Sequence, residues 1–362
     1  MKISEIDLVQ FKNYRQTKFV FNDRFNCITG LNGIGKTNLL DAVHYLAFTK
    51  SASSSTDAQS IQHDESYFSV KAQLVSNQPL TIHCYFEVGK GKVFKVNGTP
   101  VEKFGEHSGS VPTVLASPGD QTLITEGSEV RRKFIDGTLA QIDSEFLNQL
   151  LRYQKVVKQR NHTLKQSGNH QSSSLHRLLD VYDDEIINLS SSISQKRTDI
   201  LEILQPFFTD NYQAISSSKE QATIAHMTAV LDSEFPDRYR ASRAKDILTH
   251  RTHYGAHRDD FSFQLNNYPL KKEGSQGQQK SYVLALKLAQ YDLLYQETTL
   301  KPILLLDDLC DKLDEERIAS ILHLLKDDHR FGQIFITDTR GVRIKQVLKD
   351  YPLTNFIEIT GS

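Results

Sequence analysis

Eight consecutive residues, Gly30-Leu31-Asn32-Gly33-Ile34-Gly35-Lys36-Thr37, place glycine, lysine and a hydroxyl in the spacing G-x-x-x-x-G-K-[ST]. Glycines in this pattern let the backbone take positive φ and turn successive N–H groups inward, forming a nest for anions. Lys36 would reach the β- and γ-phosphates of ATP, and the Thr37 hydroxyl would ligate Mg²⁺. Asn38 follows at the phosphate end of the next helix and completes the candidate nucleotide contacts. By chance such a pattern arises in about one chain in a hundred of this length.

A second chemical group closes the apolar run Ile303-Leu304-Leu305-Leu306-Asp307-Asp308. Ligands of open α/β sheets bind at the carboxyl ends of buried strands, which is where these two acids stand. Asp307 is expected to hold Mg²⁺, directly or through water, and Asp308 to orient or deprotonate the attacking water. Lys36 and Asp308 are therefore the catalytic candidates. Two acids that merely open a loop are the alternative, and the presence of Lys36 and Thr37 weighs against it.

A third segment, Gly274-Ser275-Gln276-Gly277-Gln278-Gln279-Lys280, precedes a helical pattern over 282–295. Serine and glycine at a helix N-terminus make another phosphate nest. One subunit has one γ-phosphate, already cradled by its own loop, so a second nest suggests the nucleotide of a partner copy. An ordinary capped helix is the other reading.

These groups need elements to position them. Residues 24–29 read as a strand entering the phosphate loop, and 38–48, with Leu39, Leu40, Val43, Leu46 and Ala47, as the helix leaving it. Residues 67–101 read as an antiparallel meander with turns at Gly89 to Lys92 and at Asn97-Gly98. From Leu139 the apolar residues Ile142, Phe146, Leu150, Tyr153, Val157 and Leu164 step by mostly three or four. A second such series runs from Leu175 to Phe207 beyond a polar turn at 166–172. This predicts a helical hairpin with arms of roughly 30 residues, about 45 Å. Residues 334–337 read as a strand beside the one ending at Asp307. The fold expected is α/β: a P-loop ATPase lobe with a mixed sheet plus a short helical arm or lid domain. Its expected segments are 1–122 (head), 123–249 (arm) and 250–362 (head).

The 362 residues are 24% charged and 38% hydrophobic, with a formal net charge of -1. No global basic field is present, so DNA binding would rest on local patches. Arg152, Lys155, Lys158, Arg160 and Lys165 lie in a stretch without acids, and Arg238, Arg240 and Arg243 form a second group. Arg131-Arg132-Lys133 is a third. Each alone reads as a solvated helix face; together they make a surface for DNA phosphates, with Arg152, Lys155, Lys158, Arg160, Arg240 and Arg243 as candidate contacts. His257 lacks companions for a metal site and reads as part of a wall beneath the Ser275 segment. Cys27, Cys84 and Cys310 are isolated, as in a reduced cytoplasmic protein. No stretch approaches the roughly 20 apolar residues that span a bilayer, so no membrane partner is expected.

Taken together, these motifs resemble the RecF family, the DNA replication and repair members of the SMC/ABC-type ATPases, over essentially the whole chain. The resemblance rests also on Tyr254-Gly255-Ala256-His257-Arg258-Asp259-Asp260, Arg131 to Asp136 and Phe11-Lys12-Asn13-Tyr14. It implies an ABC/Rad50-head-like lobe with a short arm in place of a long coiled coil. It also implies an ATP-dependent homodimer in which Ser275, Gly277 and Gln278 contact the partner's ATP and Asp314 belongs to the D-loop. Such a dimer would bind gapped, single-strand-containing or duplex DNA and work with RecR and RecO to load RecA. Slow, DNA-stimulated hydrolysis would release it. The sequence departs from that pattern at Ala256, where proline is usual, and at Asp311-Lys312, where Ser-Glu is commoner. Thr337-Asp338-Thr339 stands where many ABC enzymes have a switch histidine, and the Q-loop falls within Ser117 to Gln121. The competing readings are a transporter ATPase and a non-hydrolysing nucleotide-dependent scaffold. Ser275 follows Lys36 by 239 positions, whereas a transporter signature follows by about 100, and a DNA-side arm fits that gap better.

Overall fold

The computed structural model describes the chain except residues 77, 108, 168–172, 217–219, 310–313, 340, 350 and 361–362. Most of the expected turn at 166–172 lies outside the described residues, as do Cys310 and Asp311-Lys312. The chain forms two compact units: Met1–Gln121 with Asp210–Lys219 and Ser275–Ser362, and Thr122–Thr209 with Glu220–Gly274.

The first unit begins with β1 (Lys2–Phe11), β2 (Tyr14–Val20), β3 (Phe25–Thr29) and α1 (Lys36–Phe48). There follow β4 (Tyr67–Val75), β5 (Leu80–Glu87), β6 (Gly91–Val96), β7 (Thr99–Pro100) and β8 (Thr113–Ala116). Alternating burial along β4 shows the period of two that leaves one strand face in the core. The meander expectation is met by a six-stranded antiparallel sheet in the order β2-β1-β4-β5-β6-β7.

In the second unit α2 (Thr122–Thr125) and α3 (Ser128–Ile142) precede the hairpin helices α4 (Ser144–Ser167) and α5 (Ser173–Ser216), the last of which belongs to this unit as far as Thr209. The arms are unequal: 24 residues in α4 and 44 in α5, against the 30 expected for each. Asp143 accounts for the shorter first arm. Its backbone is extended and its Oδ1 accepts from Phe146 N at 2.8 Å, ending α3 and capping α4. The chain continues through β9 (Ala222–Met227), α6 (Phe235–Ala241), α7 (Arg243–Thr249), β10 (Asp260–Leu265), β11 (Tyr268–Pro269) and α8 (Leu270–Glu273). β10 pairs with β9 over six residues from Asp260 to Leu265, and this ladder assigns 250–274 to the arm unit rather than to the head segment expected at 250–362.

The remaining elements return to the first unit: α9 (Gln276–Thr298), β12 (Ile303–Leu306), α10 (Glu315–Leu324), β13 (Ile334–Asp338), α11 (Val342–Leu348) and β14 (Thr354–Glu358). The strands β14-β3-β13-β12-β8 make a parallel five-stranded sheet. Every residue of β3, β12 and β13 is buried, and the unbroken apolar run of β12 is the pattern of a strand covered on both faces. Leu39, Leu40, Val43 and Leu46 of α1 share one apolar cluster with Ile6, Phe68 and Val70 of the antiparallel sheet and with Leu305 and Phe335 of the parallel one. That single core fixes where α1 starts, and hence where the phosphate loop sits.

Candidate nucleotide site

β3 ends at Thr29 and α1 starts at Lys36, so the loop between them has the strand-loop-helix setting that its sequence demands. Gly35 caps α1 with φ 120°, a conformation in which any side chain is strained. A Cβ there would also lie 2.5 Å from Asn13 Nδ2 and 3.0 Å from Tyr14 Oη. Both neighbours belong to the tip of the β1–β2 hairpin. Asn13 donates to the Ile34 carbonyl at 2.7 Å and accepts from Asn38 Nδ2 at 2.7 Å, while Tyr14 Oη donates to the Gly35 carbonyl at 3.0 Å. Burial pushes the Tyr14 phenol well above its ordinary pKa, so it remains a donor. The role of Asn13 and Tyr14 as a brace was not read from their residue types; the only signal was their place in the resembling N-terminal motif.

Within the loop, Lys36 is nearly buried and its ammonium donates to the carbonyls of Gly30 (2.7 Å) and Leu31 (3.0 Å). Leu31 is exposed, Gly33 has φ 79°, and the Asn32 side chain accepts from Thr339 Oγ1 at 3.1 Å.

The parallel sheet brings the carboxylates to this loop. Thr37 Oγ1 lies 2.9 and 3.1 Å from the two oxygens of Asp307. Thr337, at the carboxyl end of β13, donates to Asp307 Oδ1 at 2.7 Å and accepts from the Asp308 N–H at 2.8 Å. Asp308 itself has φ 50°, left-handed for a residue that carries a Cβ. A hydroxyl and a carboxylate held together are hard oxygen donors of the kind Mg²⁺ selects, so Thr37 and Asp307 fit that ion. Asp307, Asp308, Gln121 and Lys280 line one cleft. Asp120 is held by the Ser117 N–H and by Lys287 at 2.7 Å, while Gln121 lines the cleft and donates to Gln279 Oε1 at 2.8 Å.

Ser275 is the N-cap of α9: its Oγ accepts from Gln278 N at 3.2 Å, and the Gln278 side chain accepts from Ser275 N at 2.7 Å. This reciprocal capping box satisfies two donors of the helix end. Asp314 caps α10, accepting from Arg317 N at 2.8 Å. Arg317 also lies over Gly277, where a Cβ would come within 2.6 Å of its Nη1. The Asp314 segment and the Ser275 segment are thus neighbours in one unit.

The six basic candidates fare differently. Lys155 and Lys158 are exposed and have no ion-pair partner among the described residues. Arg152 is exposed and paired with Glu185, and Arg240 with Asp184 at 3.0 Å. Arg243 binds Asp180 and Asp183. Arg160 cannot be a DNA contact as it stands: its side chain is fully buried between Asp183 (2.7 Å) and Asp246 (2.8 Å). The reason is its place on α4, four residues from both Val156 and Leu164 on the inward stripe. His257 is held inside the second unit by Tyr153 Oη (2.7 Å) and the Thr252 carbonyl (3.1 Å). Asp259 there accepts from Arg197, Ser194 and Thr228. No cluster of metal-binding side chains occurs among the described residues, and none of their helices is long and apolar enough to cross a membrane.

The profile of the RecF/RecN/SMC N terminal domain matches residues 2–355. The DNA replication and repair protein RecF of Flavobacterium johnsoniae is 41% identical over 351 residues, covering 96% of this chain and 97% of that protein. Its counterpart from Cytophaga hutchinsonii is 42% identical over 345 residues, 95% of this chain and 90% of that one. Among solved structures, the recombination mediator protein RecF-ATP in the RecFOR pathway superposes with a TM-score of 0.85 at 32% identity, covering 94% and 92% of the two chains. An Smc head bound to the C-winged helix domain of ScpA shares the fold at 14% identity, with a TM-score of 0.53 and 95% and 91% coverage. The transporter alternative finds no support in these similarities. With its phosphate loop, its carboxylate strand and near full-length similarity to these proteins, the chain belongs to the RecF family of SMC-type ATPases.

Proposed function

We propose that this chain is an ATP-dependent DNA-binding protein of replication-linked recombinational repair. In this reading two copies close on ATP, and each supplies Ser275, Gly277 and Gln278 to the nucleotide on the other's phosphate loop. The closed pair grips gapped, single-strand-containing or duplex DNA in the cytoplasm and assists loading of the recombinase with RecO and RecR. The observation that carries the reading is the contact between Thr37 and Asp307, which joins the two halves of a nucleotide site at 2.9 Å.

Lys36 supplies positive charge to the phosphates, while the Gly30–Thr37 backbone presents its N–H groups to them. Thr37 and Asp307 would hold Mg²⁺, which would neutralise negative charge developing on the phosphates. Asp308, one residue beyond the metal carboxylate, orients or deprotonates the attacking water. Asp314 stands beside the signature segment, at the face that the second copy would approach. Exposed Lys155 and Lys158, with Arg152, Arg240 and Arg243, would meet DNA phosphates without reading sequence. Hydrolysis is slow, DNA-stimulated and coupled to release of the dimer.

Light scattering of the purified chain with ATP, with ADP and with a gapped duplex tests this. ATP should convert monomer to dimer, and Lys36→Met should remain monomeric. A Lys36→Met chain that dimerises with ATP, or DNA binding that is equal with and without ATP and insensitive to salt, would remove the proposal.

A further inference from the structure

Thr337 sits where a switch histidine is common in related ATPases, and its contacts give it a different task. The residue is fully buried at the carboxyl end of β13. Its hydroxyl donates to Asp307 Oδ1 at 2.7 Å and accepts the Asp308 N–H at 2.8 Å. One oxygen therefore uses both its donor and its acceptor capacity on adjacent residues of the carboxylate turn. We infer that Thr337 is the positioning residue of this turn, fixing the Asp307 carboxylate for Mg²⁺ and holding Asp308 in the backbone conformation that aims its side chain. The inference rests on the proposed nucleotide function and adds a residue to it.

Asp307 makes two hydroxyl contacts. Thr37, in the first turn of α1 after the phosphate loop, is the other residue that would hold Mg²⁺, so its hydroxyl would be shared with the ion. Thr337 lies on the sheet, with β13 hydrogen-bonded between β12 and β3, and does not have to move. It is the fixed partner, and it sets which Asp307 oxygen remains for the metal. Asp308 is the second part of the argument. Aspartate is among the few residues with a Cβ that take a left-handed φ such as the 50° seen here, and in that conformation its N–H is turned onto Thr337 Oγ1. Without that acceptor the Asp308 N–H loses this partner, and the turn that carries its side chain is held less firmly. Two residues on, Thr339 reaches Asn32 of the phosphate loop at 3.1 Å, so the end of β13 touches both halves of the site. Threonine in place of histidine thus sets a non-titrating hydroxyl against the metal carboxylate.

Thr337→Val keeps the shape and the β-branching while deleting the hydroxyl, and Thr337→Ser restores the hydroxyl on a smaller side chain. ATP binding is measured by calorimetry in Mg²⁺ and in EDTA, beside the melting temperature of the nucleotide-free protein and steady-state turnover. Outer partners of metal ligands typically affect affinity by about 10–100-fold. Thr337→Val should bind ATP in EDTA as the unaltered chain does and lose about tenfold or more of the gain conferred by Mg²⁺. Its kcat should fall further than its KM rises, and Thr337→Ser should recover most of both. A valine variant with the full Mg²⁺ gain and full turnover overturns the inference. So does one that weakens equally in Mg²⁺ and EDTA, since that is a general packing defect. If the unaltered chain gains nothing from Mg²⁺, the proposed function fails, and the inference fails with it.

Discussion

Replacing Arg160 separates a buried structural cation from a DNA contact. In the second unit the Arg160 side chain is fully buried, and its partners Asp183 and Asp246 are 1% and 0% exposed. Arg160→Met preserves length and apolar contact but leaves two carboxylates in the interior. Breaking a buried ion pair by removing one partner costs about 3–5 kcal/mol. Here the lower end applies, because Asp183 keeps Arg243 at 2.5 Å and Asp246 keeps His253 Nδ1 at 2.7 Å. At about 2–4 °C per kcal/mol for a domain of this size, a loss of about 3 kcal/mol lowers the melting temperature of the arm unit by about 6–12 °C. The assay is calorimetric melting paired with a salt titration of duplex binding at a temperature where the variant is folded. A phosphate contact would contribute about 0.9 to the slope of log affinity against log salt. The expectation is a large thermal shift with an unchanged slope. A melting temperature within about 2 °C of the unaltered chain, with a slope shallower by about one, would refute the burial argument.

Gly35→Ala introduces a Cβ at φ 120° within 2.5 Å of Asn13, so it should abolish tight ATP binding in calorimetry; retention of affinity would show that the hairpin tip yields. His257 gives a pH dependence with a defined sign. Burial lowers its pKa to about 4, opposed by the hydrogen bond to the Thr252 carbonyl; Arg258 and Arg132 lower it further, and Asp259 opposes them. The folded ring stays neutral where the unfolded ring, near its ordinary 6.5, takes up a proton, so stability falls as pH drops from about 6.5 toward 4. Melting temperatures between pH 7 and pH 4.5 should fall, and His257→Gln should flatten part of that fall; identical profiles would exclude His257 as a contributor.

The phosphate loop and the carboxylate strand were legible because short backbone geometry dictates their residues. Glycine marks the positive φ of the loop, and an unbroken Ile-Leu-Leu-Leu run marks burial on both faces of a parallel strand. Arg160 was misread for an instructive reason. The apolar series steps from Val157 to Leu164, and the inward position it skips is filled by an arginine whose acids lie on α5 and α7, far along the chain. Asp183, Ser190, Ser194 and Arg197 are likewise buried on α5, so polar pairing that apolar periodicity does not register holds the arm together. The boundary near 250 was missed because β9 pairs with β10 across two intervening helices, a partnership that local pattern cannot announce. Asn13, Tyr14 and Thr337 act through where the fold carries them, and side-chain chemistry alone does not single them out.

The order of strands in the parallel sheet bears on how the chain emerges during synthesis. β3, which delivers the phosphate loop, is flanked on both sides by strands about 300 residues further along the chain, β13 and β14. A nascent chain that has completed the loop, its helix and the whole arm still has no partner for either edge of β3. Such distant parallel pairings form slowly. The strand that carries the phosphate loop is therefore without either neighbour until β13 and β14 have been made, and a ribosome-bound fragment lacking both would offer that loop no scaffold.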